Sequence, residues 1–561
     1  MNNLHLALLG EIMVKKGIQH VVVSPGSRNA PAIIRFNRIQ GLRLYSIVDE
    51  RSAAFYALGM ALETGETVAL LCTSGSAGLN YAPAIAEAYY QQLPLLVITA
   101  DRPEEWIDQG DGQTIRQTHM FANIIRKSFQ LFEFSDNPDE IAFFARLVAE
   151  AIDRTQYPVS GPVHLNVPVR EPLYDINTHP PFQKVSLPAI AQTVNQISPE
   201  TMATLANRWN DSLAKLILVG QLPVNNNLSK QLRRLAADGS VVVMVESTSN
   251  LKDEDFVGCI DTVIEGLNPE TEAALCPEIL VTLGGAIVSK RIKTLLRKIN
   301  PAHHWHVSPD VEGFHVDTFR SLSLTLPVDS PGFLDQLAGL SLLTKSTFAA
   351  NWKQRMKERL QKHSIFLKSA PFSDIKAYEL IFNQLPENGI LFLGNSTPVR
   401  YGQLFNELNG YPIQSNRGTS GIDGCVSTAA GTAMLCDQTV TVITGDISFF
   451  YDSNALWNKA LPANLKIIMI NNGGGNIFRV IPGPDQFEEL GPYIETAHQL
   501  TGEDLARGFG LNYLKANDEP ELNQALKQMH HYDNRAILLE IVTPNKLSAQ
   551  VLKDYFKFIA S

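Results

Sequence analysis

The 561-residue chain lacks long apolar runs and lacks closely spaced cysteines. No stretch reaches the roughly 18–20 apolar residues that span a bilayer, so no membrane insertion is expected. The apolar stretch 4–9 is short and Glu11 follows it closely, which is typical of a first helix rather than of a signal peptide. No CxxC pair occurs, so neither a disulfide framework nor a thiolate zinc site is expected, and we predict a cytoplasmic protein. The five cysteines are scattered: Cys72, Cys259, Cys276, Cys425 and Cys436.

The chain also has fewer basic than acidic residues. The chain has 47 Lys and Arg against 57 Asp and Glu, a formal net charge of −10. This balance disfavours nucleic acid as a partner, because phosphates need a basic surface. Any local cluster of arginines in such an acidic chain therefore indicates an anionic small-molecule ligand.

Short, continuous apolar runs recur along the chain, with helix-like segments between them. Continuous rather than alternating apolarity is typical of strands buried on both faces, which predicts an α/β fold of mainly parallel sheets flanked by helices. The length suggests about three domains. The predicted strands are 20–23, 44–48, 68–71, 95–99, 163–167, 216–219, 241–245, 279–283, 390–393, 440–444, 467–470 and 536–542.

Two segments resemble linkers. Residues 177–187 contain a Pro-Pro pair and few large apolar residues, and a charged helix at 352–362 follows a loop. We therefore predict domains at 1–185, 186–345 and 346–561. Polar or glycine-rich residues follow seven of the strands in the two outer domains. Since ligands of open parallel sheets bind beyond the carboxyl ends of strands, these ends predict two faces that meet around a ligand.

The strongest local pattern is Gly445-Asp446 followed by Asn471-Asn472, each pair after a buried strand. Either pair alone would be ordinary turn chemistry. Together they supply a carboxylate, an amide oxygen and a free backbone carbonyl, which are hard ligands suited to Mg²⁺ beside a phosphate. The pairing resembles the metal and diphosphate motif of thiamine-diphosphate enzymes, although Ile447 stands where that motif usually has glycine.

Glu50 is the second candidate. It follows a predicted strand and begins a helix, 51–63, that is rich in small residues and so allows another helix to pack closely, as at a subunit interface. In thiamine-diphosphate enzymes a glutamate in this place bonds N1′ of the aminopyrimidine ring and promotes loss of the C2 proton. A glutamate that shares a proton with a buried ring should have a raised pKa.

A set of further motifs resembles one family, the 2-succinyl-5-enolpyruvyl-6-hydroxy-3-cyclohexene-1-carboxylate synthases of menaquinone biosynthesis. The resemblance covers residues 20–485 and is thin in the middle third. It rests on SPGSRNAP at 24–31, ADRP at 100–103, GNS at 394–396 with Arg400, SNRG at 415–418, GIDG at 421–424 and NNGGGNIF at 471–478.

The resemblance implies a transferase of the transketolase type with thiamine-diphosphate-binding pyrimidine and pyrophosphate domains around a Rossmann-like middle domain. The implied reaction is decarboxylation of 2-oxoglutarate and conjugate addition of the resulting carbanion to isochorismate. A different thiamine-diphosphate decarboxylase or carboligase is the nearest alternative, and a non-catalytic cofactor-binding regulatory protein is a more distant one. The cofactor would be thiamine diphosphate with Mg²⁺ or Mn²⁺, and the assembly a homodimer at least, or a tetramer.

Residue roles also follow from the resemblance. Glu50 would be catalytic, and Asp446, Asn472 and the Gly474 carbonyl would bind the metal. The cofactor would contact Asn395, Ser396, Gly421, Ile422, Gly445, Ile447, Ser448 and Phe478. The substrate pocket would comprise Ser27, Arg28, Arg102, Gln113, Lys290, Arg291, Arg400 and Arg417.

The middle domain carries no pattern for a ligand of its own. Its first strand is followed by Gly220-Gln221-Leu222-Pro223 rather than G-x-G-x-x-G, so no dinucleotide is expected there. Three histidines surround Trp305, at 303, 304 and 306. We favour a packed or solvated strand face over a zinc site, because no fourth ligand accompanies them.

Overall fold

The computed structural model describes residues 3–174, 176, 185–191, 193–310, 315–408, 410–459, 461–481, 483–532 and 534–561. Most of the predicted linker at 177–187 lies outside these residues. Within the described ranges, no helix has both the length and the apolarity needed to cross a bilayer.

The N-terminal sheet has six parallel strands in the order β2-β1-β3-β4-β6-β5. Its central strands β3 and β4 are buried along their whole length, because helices cover both faces. The strands are β1 (His20–Val23), β2 (Arg43–Ser46), β3 (Val68–Cys72), β4 (Leu95–Asp101), β5 (Lys127–Gln130) and β6 (Val163–Pro168). The helices are α1 (Leu4–Lys15), α2 (Ala30–Asn37), α3 (Glu50–Thr64), α4 (Ser76–Asn80), α5 (Ala82–Gln91) and α6 (Pro138–Asp153).

The middle sheet has five parallel strands in the order β11-β10-β9-β7-β8. Separate apolar clusters fill its two faces. The strands are β7 (Lys215–Val219), β8 (Val241–Val245), β9 (Ile279–Leu283), β10 (His303–Val307) and β11 (Leu324–Leu326). The helices are α7 (Pro199–Asp211), α8 (Asn226–Ala236), α9 (Ile260–Val263), α10 (Pro269–Ala274), α11 (Lys290–Ile299) and α12 (Ser330–Leu340).

The C-terminal sheet repeats the six-stranded parallel plan in the order β13-β12-β14-β15-β17-β16. Its strands are β12 (Gly389–Leu393), β13 (Ile413–Gln414), β14 (Thr439–Gly445), β15 (Leu465–Asn471), β16 (Asn512–Ala516) and β17 (Ile537–Val542). Its helices are α13 (Phe348–Ser369), α14 (Asp374–Phe382), α15 (Thr397–Gly402), α16 (Cys425–Ala433), α17 (Asp446–Tyr451), α18 (Ile477–Val480), α19 (Glu503–Gly508), α20 (Glu519–Met529) and α21 (Asn545–Ala560).

The predicted fold class is confirmed, and each predicted strand has a counterpart in the structure. The second strand is shifted, because β2 ends at Ser46, two residues before the predicted end. Strand β10 was expected only from its run of histidines, and the strands that had no prediction are β5, β11, β13 and β16. They are short or partly exposed, so they lack a continuous apolar run. The histidines of β10 pack within the sheet, where Thr282 Oγ1 lies 2.9 Å from both His304 Nε2 and His306 Nδ1.

Helices α3 and α16 cross at van der Waals contact and join the two outer domains of the same chain. A Cβ added to Gly59 would lie 1.9 Å from the Thr428 carbonyl oxygen, and one added to Gly431 would lie 2.0 Å from the Tyr56 carbonyl oxygen. Glycine is therefore required at both positions. The small residues of α3 thus pack against a helix of the same chain, and one apolar cluster runs through both outer domains.

Helix α13 spans the junction between the middle and C-terminal domains. Trp352 belongs to an apolar cluster of the middle domain, whereas Leu367 belongs to a cluster of the C-terminal domain. The boundaries near 185 and 345 remain predictions, since a helix shared by two domains gives no single dividing residue.

Candidate active site

The carboxyl edge of the C-terminal sheet holds the candidate metal site. Strands β14 and β15 are neighbours, with Gly445 paired to Ile470, so Asp446 lies beside the loop after Asn471. Asp446 Oδ2 accepts hydrogen bonds from the backbone N–H groups of Gly473 at 2.8 Å and Gly474 at 2.9 Å. The loop therefore folds over the carboxylate and brings the residues of the two sequence pairs together.

Asn472 is the second predicted metal ligand. Its Oδ1 atom is buried without a hydrogen-bond partner, whereas its Nδ2 donates to Asp374 Oδ2 at 3.0 Å. Burial raises the pKa of Asp446, against the lowering by the N–H groups of Ile447 and Gly474. A buried carboxylate beside an unpartnered amide oxygen fits a hard divalent cation, which would stabilise both.

Two further features belong to this site. The Gly474 carbonyl, the third predicted ligand, accepts from Asn476 N at 2.9 Å. His498 Nε2 lies 3.4 Å from Asp446 Oδ2, a contact that sequence reasoning missed. Among the described residues no group of three His, Cys, Asp or Glu side chains could hold a metal. The predicted donor set has one carboxylate, with an amide oxygen and a carbonyl oxygen.

A hydrogen-bonded group of the predicted cofactor residues lies next to β12. Asn395 Nδ2 donates to the carbonyl oxygens of Asn416 at 2.7 Å and Gly421 at 2.6 Å, and its Oδ1 accepts from Arg417 Nη1 at 2.7 Å. Ser448 Oγ donates to the Ile422 carbonyl oxygen at 2.8 Å. These bonds tie the 416–422 loop to the helix that Asp446 begins, so the structure brings four of the predicted cofactor residues together.

Ser396 and Arg400 belong to the same edge. Ser396 has a positive φ of 74°, a conformation that costs energy for a residue with a Cβ. Its carbonyl oxygen accepts from Arg400 Nη1 at 2.6 Å. Burial lowers the pKa of Arg417, and the nearby Arg400 lowers it further. Two partly desolvated guanidinium groups that repel each other favour an anion between or beside them.

A cavity of about 590 Å³ lies between the middle and C-terminal domains. Lys290 and Arg291 at the start of α11 line it from one side, and Arg400 lines it from the other. The lining also includes Asp261, Glu265 and Lys298, and Glu265 forms an ion pair with Arg291; apolar residues such as Ile477 and Phe556 provide much of the remaining surface. Three of the predicted substrate cations therefore share one cavity whose size suits a small organic acid.

Arg28 and Arg102 form a second cationic pair, at the carboxyl edge of the N-terminal sheet. Arg28 is buried, and its Nη2 lies 3.0 Å from Glu171 Oε1. Arg102 Nη1 lies 3.7 Å from the same oxygen and 2.8 Å from Asp111 Oδ2. Carboxylates of the chain thus occupy both guanidinium groups.

The other predicted substrate and cofactor residues are described by their exposure and backbone contacts. Ser27 and Gln113 are exposed, and Gln113 has a positive φ of 55°. Phe478 in α18 is half-buried, and the backbone N–H of Ile447 donates to Asp446 Oδ1 at 2.7 Å.

Glu50 begins α3 and is half-buried. Burial raises the pKa of its carboxyl group, and the neighbouring Asp49 adds to this shift. The residues on either side of Glu50 contact the C-terminal domain. Asp49 Oδ2 accepts a hydrogen bond from Asn454 Nδ2 at 2.8 Å, and Arg51 Nη2 donates to the Tyr451 carbonyl oxygen at 2.6 Å. The pKa of the Glu50 carboxyl group is therefore shifted in the direction that the sequence predicted.

Sequence reasoning missed three carboxylates around the site, of which Asp374 and Glu87 are buried and Asp261 is half-buried. Asp374 contacts Asn472, Glu87 accepts from the backbone of the loop that follows Arg417, and Asp261 lines the cavity beside Arg291. None of them belongs to a recognisable motif. Each lies in an ordinary helix, so only its long-range partners reveal its role.

Comparisons with known proteins match three families along the chain. Residues 6–121 match the family described as "Thiamine pyrophosphate enzyme, N-terminal TPP binding domain", 187–393 match "Middle domain of thiamine pyrophosphate", and 400–541 match "Thiamine pyrophosphate enzyme, C-terminal TPP binding domain".

Several curated relatives match almost end to end. Proteins of Christiangramia forsetii (43% identical; 98% of this chain and 98% of the relative), Flavobacterium psychrophilum (44%; 98% and 97%) and Porphyromonas gingivalis (37%; 99% and 97%) all carry one name. That name is 2-succinyl-5-enolpyruvyl-6-hydroxy-3-cyclohexene-1-carboxylate synthase.

Proposed function

The chain belongs to the 2-succinyl-5-enolpyruvyl-6-hydroxy-3-cyclohexene-1-carboxylate synthase family, and we propose that it performs this synthesis with the residues described above. The enzyme is a thiamine-diphosphate-dependent transferase of menaquinone biosynthesis. It decarboxylates 2-oxoglutarate and adds the resulting carbanion to isochorismate, releasing CO₂. Thiamine diphosphate, when bound, supplies the carbon centre that attacks the keto group and holds the carbanion.

We assign the metal site to Asp446, Asn472 and the Gly474 carbonyl, which would hold Mg²⁺ or Mn²⁺ against the cofactor's diphosphate. The unpartnered Asn472 Oδ1 and the buried Asp446 carboxylate support this assignment. Asn395, Ser396, Gly421, Ile422, Gly445, Ile447, Ser448 and Phe478 would shape the cofactor pocket around that ion.

Glu50 would hold a proton against the pyrimidine ring of the cofactor. Its raised pKa supports this role, because a carboxyl group that ionises less readily is better suited to share a proton near neutral pH. In one chain, Val48, just before α3, is 44% exposed, and Leu79 on α4 is 49% exposed. We propose that a second copy covers this surface and completes the site, so that a homodimer is the minimum active unit.

The single observation that carries the substrate assignment is the gathering of cations at two sheet edges in a chain of net charge −10. Lys290, Arg291 and Arg400 would bind anionic groups in the 590 Å³ cavity. Arg28, Arg102 and Arg417, with Ser27 and Gln113, would bind the remaining carboxylates. Each charge-assisted bond contributes roughly 1.5–3 kcal/mol, more than a neutral one.

The assay that tests this function measures CO₂ release from 2-oxoglutarate and from pyruvate, each with and without isochorismate. We expect 2-oxoglutarate to be preferred and isochorismate to accelerate turnover. Preference for pyruvate, or indifference to isochorismate, would favour a different decarboxylase and contradict the assignment of the arginines.

The metal assignment has its own test. Asp446→Ala should weaken thiamine-diphosphate binding in a manner that depends on Mg²⁺, measured by isothermal titration calorimetry with and without the ion. Unchanged affinity would contradict the metal site without affecting the family assignment. The cytoplasmic location is likewise proposed, and the five free cysteines support it.

A further inference from the structure

A buried carboxylate on α14 lies directly behind the candidate metal loop. Asp374 is 1% exposed, and its Oδ2 atom accepts from Asn472 Nδ2 at 3.0 Å. Asn476 Nδ2 lies 3.5 Å from the same oxygen. On the other side, Asp374 Oδ1 accepts from Thr543 Oγ1 at 2.5 Å.

The chemistry of these groups fixes the orientation of both amides. An ionised carboxylate can only accept hydrogen bonds, so the NH₂ end of each asparagine must face Asp374. The oxygen of each amide then points the opposite way. Both Asn472 Oδ1 and Asn476 Oδ1 are buried and have no hydrogen-bond partner. Leaving a buried oxygen unpaired costs free energy unless a bound group, such as a cation, interacts with its lone pairs.

We propose that Asp374 is the positioning residue of the metal site, which holds the Asn472 amide so that its oxygen faces the cation. This inference rests on the proposed metal site. Asp374 itself does not touch the ion: its oxygens are occupied by Thr543 and by the amide NH₂ groups. Its effect on cation binding must therefore pass through Asn472, which a double-mutant cycle can measure.

The test measures Mn²⁺ binding to the full chain in the presence of thiamine diphosphate, by electron paramagnetic resonance of free Mn²⁺. Asp374→Leu removes the acceptor while keeping the branching of the side chain, although its methyl groups are bulkier than oxygens. It should weaken Mn²⁺ binding about 10–100-fold, the usual effect of losing the group that orients a ligand. In the Asn472→Ala background the same substitution should change the affinity less than about 3-fold, because the oriented amide is already absent.

Two further variants separate positioning from folding. Thr543→Val removes the other hydrogen bond of Asp374 and should lower the melting temperature while leaving Mn²⁺ affinity within about 3-fold. Asp374→Asn can still offer an oxygen to the Asn472 NH₂ group, so it should bind Mn²⁺ more tightly than Asp374→Leu does.

The outcomes distinguish a failure of the proposed metal site from a failure of the proposed role of Asp374. If Asn472→Ala binds Mn²⁺ like the unaltered chain, the proposed metal site fails. If Asn472→Ala loses affinity but Asp374→Leu does not, or the two losses add fully in the double variant, only the positioning role is overturned. Equal losses in Asp374→Leu and Asp374→Asn would overturn it as well.

Discussion

Replacing Glu87 with glutamine should loosen the loop that carries Arg417. Glu87 lies on α5 of the N-terminal domain, is 1% exposed, and accepts from Gly418 N at 2.6 Å, Thr419 N at 2.7 Å and Thr419 Oγ1 at 2.6 Å. Its two carboxylate oxygens thus bind two consecutive N–H groups of the C-terminal domain. Glutamine has one such oxygen, so its NH₂ group must face one of those donors.

The cost follows from this geometry. One buried N–H without an acceptor costs roughly 1–3 kcal/mol, and the surviving bonds lose their charge assistance. The sum is about 2–4 kcal/mol, which corresponds to a melting shift of roughly 5–15 °C for a domain of this size. Because the same loop holds Arg417, the KM of at least one anionic substrate should also rise at temperatures where the variant is folded.

The assay is differential scanning calorimetry together with steady-state kinetics. The matched control is Glu66→Gln, an exposed glutamate of the same domain, which should shift the melting temperature by little. A Glu87→Gln shift no larger than that of the control would refute the reasoning, as would unchanged KM values for both substrates.

Three other perturbations have defined outcomes. Glu50→Gln should keep the melting temperature and lower turnover at least roughly 100-fold, and near-normal turnover would defeat its catalytic role. Gly59→Ala should lower the melting temperature, because its Cβ would clash with the Thr428 carbonyl oxygen at 1.9 Å, whereas Gly508→Ala, where a Cβ meets nothing, should not. Burial raises the pKa of Asp452 to about 7, so its folded form keeps a proton that the unfolded chain releases above about pH 4. Its contribution to stability is therefore lost as pH rises from about 4 to 7, and thermal melts at pH 5 and pH 8 should show a steeper fall for the unaltered chain than for Asp452→Asn.

Local sequence patterns predicted the scaffold well, and there is a physical reason for this. A strand that is buried on both faces of a sheet has apolar side chains at successive positions, as in β3 and β15. Its burial can therefore be recognised from neighbouring residues in the sequence. The loops after β14 and β15 could be placed at one edge for the same reason, because parallel strands end together. The structure accordingly brings Asp446 beside the loop of Asn472.

The short edge strands were not predictable in this way. Strand β13 is two residues long, and β16 is partly exposed, so neither leaves an apolar run to detect. Their place in the sheet is set by pairing with β12 and β17, respectively. The tertiary fold overrides local preference at such edges.

Local patterns in the chain were enough to predict three parallel α/β sheets, the motif residues and the family. The groups that orient those residues could be identified only from the folded chain. Asp374 and Asn472 are 98 residues apart, and Glu87 and Gly418 are 331 residues apart. A buried carboxylate carries no local periodicity, and its partners are selected by the need to satisfy every donor once the chain has packed.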